Sequence, residues 1–199
     1  MADELVLLVV GFALTTVAGG VLGYLLQNRS WSRQHEIMLA QAEREAALRV
    51  FEELSTLMDR RLYRMRRLEG VLSDTAGPDD ALERALADYR SVLFEWNDSL
   101  NRNLARVETY FGRSIRTYLE LHVYEGFKAL HERLMSMRRK RAADSPVASV
   151  ADALQPLSDR IYDLNAAMGE LVRGGRVGRY VPADFRVKES ARTAREAKA

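Results

Sequence analysis

The sequence has no cysteine. This excludes a disulfide framework, a thiol nucleophile, iron–sulfur ligation and every cysteine-containing zinc site. Proline is scarce, with four in 199 residues, at 78, 146, 156 and 182. Of the 12 glycines, seven fall within 11–23 or 174–178. The long middle therefore has few breakers and suits long helices. Histidine occurs three times, as His35, His122 and His131. No Glu-x-x-His pair of a carboxylate di-iron bundle is present, and no HExxH. A phosphate-binding glycine loop, a dinucleotide fingerprint and a nucleophile elbow are missing too. The expectation is a non-enzymatic chain with no cofactor, no metal and no catalytic residue.

The most conspicuous feature present is a run free of charge. Residues 5–26 read LVLLVVGFALTTVAGGVLGYLL. As a helix rising ~1.5 Å per residue they span about 33 Å, enough for a ~30 Å hydrocarbon core. A cleaved signal peptide fits poorly, because Asp3 and Glu4 replace a basic start and no small-x-small site comes after the run. The expectation is a single transmembrane helix at 5–26, after a short extracytoplasmic N-terminus at 1–4. No base precedes the run, whereas Arg29, Arg33 and Arg44 come after it. That asymmetry predicts the rest of the chain on the cytoplasmic side, with Tyr24 and Trp31 at the inner interface. Arginine outnumbers lysine 26 to 4, which suits a GC-rich bacterial genome and hence the bacterial inner membrane.

Within the run, Gly11, Thr15, Gly19 and Gly23 recur every four positions on one helix face. Such a face lets helix backbones approach closely, so the chain is expected to form a homo-oligomer in the lipid bilayer. Glycine is also simply common in membrane helices.

The remainder predicts an antiparallel four-helix bundle with up-down-up-down order over 48–173, an all-α fold. A juxtamembrane stalk covers 27–47. The first stripe is Leu48, Phe51, Leu54, Met58, Leu62, Met65, Leu68 and Leu72, at spacings of three and four. The segment 73–80 breaks it, with Asp79 or Asp80 placed to cap the next helix. From 81 to 137 the apolar period hardly stops, yet one helix of that length would be ~80 Å long. A reversal at Gly112 in a left-handed conformation solves this, with Ser114 or Thr117 capping the returning helix. The last helix is expected from Ser145–Pro146, kinked at Pro156 and ended by Gly174–Gly175. The basic tail 174–199 reads as largely disordered.

Two constellations are candidate sites. Trp96, Asn97 and Asn101 lie within two turns, and asparagine is a poor helix former. They are either a polar layer fixing helix register or the lining for a small ligand. Arg60, Arg61, Arg64 and Arg67 end one helix, while Arg138, Arg139, Lys140 and Arg141 end another. If the chain reverses at Gly112, both sets meet at one end as a basic cap suited to nucleic acid or a nucleotide. Cations at helix C-termini are also favoured by the macrodipole alone. These features support three functions: a self-associating anchored scaffold for an unidentified protein partner, a nucleic-acid-responsive membrane effector, or a small-ligand sensor.

Overall fold

A computed structural model describes residues 2–74, 78–143 and 150–188. Within its first helix, the side chains of 2–10, 13, 14, 18, 21–30 and 32 lie outside that description. All regular structure among the described residues is helical. Helix α1 runs Ala2–Ser73, α2 Asp79–Tyr118, α3 Glu125–Ala142 and α4 Ala151–Arg173. A π-helical turn, Leu119–Tyr124, joins α2 to α3, and a 3-10 turn, Gly178–Tyr180, comes after α4. The chain forms two compact units, Met1–Ala42 and Glu43–Ala199. The second begins at Glu43, inside the stretch read as stalk, where Ala47 is fully buried.

Within the second unit, cross-links between helices fix the order up-down-up-down. Along α1 and α2, Glu53 pairs with Arg106, Arg60 with Glu95, and Arg64 and Arg67 with Asp88. One number rises as the other falls, so these helices are antiparallel. Trp96 meets Phe127 and Tyr89 meets His131, at ring centroids of 5.2 and 5.8 Å, so the chain also reverses between them. The reversal is at Gly112, whose φ of 82° and ψ of 171° interrupt α2. This is not the left-handed helical cap expected, but the extended positive-φ region that only glycine enters readily. Finally, Ser55 donates to Asn165 at 2.9 Å, which sets α4 against α1.

The helix ends differ from expectation in instructive ways. Pro78, not an aspartate, occupies the N-cap of α2, and no side chain caps it. Asp79 and Asp80 sit in the first turn, where they favour the positive end of the dipole. Residues 144–149, including Ser145 and Pro146, lie outside the described residues, and α4 starts after Val150. At its far end Arg176 N–H donates to Leu171 O and Gly175 N–H to Val172 O, with Gly175 at φ 63°. That is the paired 6→1 and 5→2 pattern that satisfies the last carbonyls.

The segment after α4 is the largest departure. Through Lys188 it is ordered along the bundle rather than disordered, because its few apolar residues find seats. Val177 is buried, and Phe185 and Val187 pack against the core. Arg179 Nε donates to Glu43 at 3.0 Å, and Gly178, at φ 58°, leaves room for that carboxylate. Residues 189–199 lie outside the described residues.

Among the described residues, no helix is long and apolar enough to cross a membrane. The expected span at 5–26 finds no support there, since most of its side chains lie outside the described residues.

Candidate functional sites

The core seam of α1 is Leu54, Met58, Arg61, Met65, Leu68 and Leu72, so an arginine stands where an apolar residue would. Arg61 is 3% exposed. Its guanidinium carbon lies 5.0 Å from the Trp96 ring centre and 4.4 Å from that of Phe127. Such faces attract a cation through the ring quadrupole. Neither Nε nor Nη1 has a hydrogen-bond partner, nor does the buried Trp96 Nε1. No carboxylate pairs with Arg61 among the described residues. Burial pulls its pKa down, and the neighbouring Tyr89 oxygen opposes that.

Tyr89 connects this arginine to His131, with its hydroxyl 2.7 Å from Nδ1. Burial raises the phenol pKa against the pull of Arg61, so the group keeps its proton. The His131 pKa is lowered, first by burial and then by Arg61, against an opposing Glu132. Its neutral form is thus favoured by folding. Stability from this source is full above the unfolded value of ~6.5 and is lost as pH falls below it. Thermal melts between pH 7.5 and 5 should show a steeper loss for the native chain than for His131→Gln. Parallel pH profiles for the two would remove the linkage.

The expected constellation at Trp96 does not assemble. Trp96 is buried at 1%, whereas Asn97 and Asn101 are exposed, so the three neither line one site nor form one buried layer. The buried polar residues besides Arg61 are Ser99 and Asp163; Ser99 is bonded to the Glu95 carbonyl at 2.7 Å and to Asn103 at 3.1 Å.

The two basic clusters are also sorted. Arg141 donates to the carbonyls of Val71 and Asp74, which brings the end of α3 beside the end of α1. Both clusters thus belong to neighbouring, parallel helices. Arg60, Arg64 and Arg67 are spent on Glu95 and Asp88, and Arg61 is interior. At these two helix ends, the exposed cations without an ion pair among the described residues are Arg66, Arg138, Arg139 and Lys140. Of the membrane-helix set, Gly11, Thr15 and Gly19 are exposed. A Cβ on Gly11 or Gly19 would meet nothing within 4 Å, and the Thr15 hydroxyl closes on the Gly11 carbonyl. The Gly23 side-chain position lies outside the described residues.

A feature the sequence did not announce is a cavity of about 620 Å³ at the Gly112 reversal. One wall is the start of the returning helix, with Arg113, Ser114 and Thr117; the other is the segment 181–187. Tyr118 and His122, whose rings lie 4.7 Å apart, form its edge where the π-helical turn begins. Such turns are often found at functional sites. No group of histidines and acids able to hold a metal occurs among the described residues.

Comparison with family models, curated proteins and solved structures finds no match to this chain.

Proposed function

We propose that this chain is a bundle anchored in the cell membrane by residues 5–26, with the bundle on the cytoplasmic side, and that it acts by binding rather than catalysis. In this reading it is a self-associating scaffold for a protein partner. One observation carries the reading: the described large apolar side chains within the uncharged run are bare. Phe12 is 72% and Val17 65% exposed. An apolar helix of that length is marginal in water and needs lipid or another chain around it. The smooth face at Gly11, Thr15 and Gly19 favours a second copy as the neighbour.

Alkaline extraction of membranes tests the anchor. The native chain should stay with the lipid, and Phe12→Arg with Val17→Arg should shift it to the soluble fraction, since each central arginine costs about 2.5–3.5 kcal/mol. A native chain released by alkali would sink the anchor. In-membrane crosslinking should give dimers that Gly19→Leu removes; a native monomer would end the scaffold reading while leaving the anchor standing.

A second reading, binding of nucleic acid, is favoured by the unpaired Arg66, Arg138, Arg139 and Lys140. It calls for salt-sensitive RNA or DNA binding that charge reversal of Arg138 and Arg139 abolishes.

A further inference from the structure

We propose that the cavity at the Gly112 reversal is a binding site for an amphipathic anion, a phosphate or carboxylate head joined to a compact apolar body. The site lies wholly within 43–199, so it stands or falls separately from the membrane anchor.

Charge points to the sign of the ligand. The cavity lining holds Arg113 and Arg186 and no acidic side chain. Glu108 and Glu120, on the neighbouring helical turns, are engaged by Arg116. Asp184, the acid of the wall segment, is exposed and outside the lining. A groove of similar size between α1 and α2 shows the contrast. It mixes Glu52, Glu53, Glu95 and Asp98 with Arg60 and Arg102, and Glu53 and Glu95 are already paired with arginines. That groove is lined by both signs with acids in excess, whereas the charged side chains lining the cavity are cations alone.

The remaining lining defines the rest of the molecule. Ser114 and Thr117 supply hydroxyl donors beside Arg113, on the helix that restarts after Gly112, whose positive dipole end adds to the same potential. On the 181–187 wall, Val181 and Phe185 offer apolar surface beside Arg186. The lining thus offers arginines and hydroxyls to an anionic head and apolar side chains to a ring or short alkyl chain. The volume is in the range that small-molecule sites occupy. A bare ion would leave the apolar wall unused, and a neutral body would leave the arginines unused. Both a soluble phosphorylated or carboxylated compound and an anionic lipid headgroup have this chemistry.

Phenyl phosphate is a suitable probe, because it carries both parts and is freely soluble. With the full chain in nanodiscs of phosphatidylcholine, titration calorimetry should show saturable binding. Inorganic phosphate and benzyl alcohol should each bind at least tenfold more weakly, and benzylamine should not bind. Arg113→Ala with Arg186→Ala should weaken phenyl phosphate at least tenfold, and Ser114→Phe, which fills the cavity, should abolish binding. Helical melts of both variants confirm that the bundle is intact. Nanodiscs containing phosphatidylglycerol distinguish the sources: competition supports a lipid headgroup, and unchanged affinity supports a soluble ligand. Absence of phenyl phosphate binding, equal binding of benzylamine, or full retention in the double variant overturns the proposal.

Discussion

Arg61→Met should stabilise the bundle by about 1–3 kcal/mol, raising the midpoint of thermal unfolding by several degrees. The expectation rests on an imbalance at the centre of α1, α2 and α3. A cation removed from water carries a desolvation cost of several kcal/mol, which a carboxylate at hydrogen-bond distance normally offsets. Arg61 has none. Its compensation is two aromatic faces, worth about 0.5–2 kcal/mol each, and the nearby Tyr89 oxygen. Methionine matches the length and flexibility of the stem and packs well beside rings. It removes the charge and the two unpaired nitrogens together. Arg61→Ala should behave oppositely and lose stability, because it leaves a void among Trp96 and Phe127. Urea titrations followed by circular dichroism measure both. A methionine variant less stable than the native chain by about 2 kcal/mol would mean that the rings outweigh desolvation.

At the other end of the same hairpin, Gly112→Ala should destabilise by about 2–4 kcal/mol. Two independent costs add. The backbone at φ 82° and ψ 171° belongs to a region that costs a residue with a Cβ about 1–3 kcal/mol. A Cβ there would also stand 2.9 Å from Val181 Cγ1, closer than carbon atoms pack. The two are separable. Val181→Ala in the Gly112→Ala background relieves the contact and leaves the backbone strain, so it should recover less than half of the loss. Full recovery would mean that the strain is negligible and that the steric contact is the whole effect.

The order of the four helices and the place of the reversal are legible in the sequence because they depend on breakers and periodicity. Pro78 and the glycines at 112, 174 and 175 leave few other places to turn, and the apolar stripes supply the facing surfaces. The buried arginine is not legible from apolar stripes alone. Following apolar residues through α1 selects Leu62 after Met58, and Leu62 is indeed buried. A strict alternation of four and three, Leu54, Met58, Arg61, Met65, Leu68, Leu72, runs through an arginine instead. That alternation is the signal by which Arg61 could have been found. By the same logic Leu48 is 40% exposed although it sits at an apolar spacing. Asn97 and Asn101 stand out as poor helix formers, yet an exposed face tolerates them at a few tenths of a kcal/mol. The tail is opaque for a different reason. Val177, Val181 and Phe185 are spaced by four as on a helix face, but Gly178 and Pro182 break a helix there, so only the surface they cover reveals their role.

That tail has a thermodynamic consequence. The segment 181–187 is one wall of the cavity and is held in place partly by the Arg179–Glu43 clasp. Occupancy of the cavity and docking of the tail are therefore linked equilibria, and linkage is reciprocal. A ligand that touches both walls must tighten the tail by the same factor by which a docked tail tightens the ligand. Cutting or modifying the chain beyond α4 would then change affinity at Arg113 without touching it. Filling the cavity would, in turn, be sensed at Glu43, where the bundle unit begins.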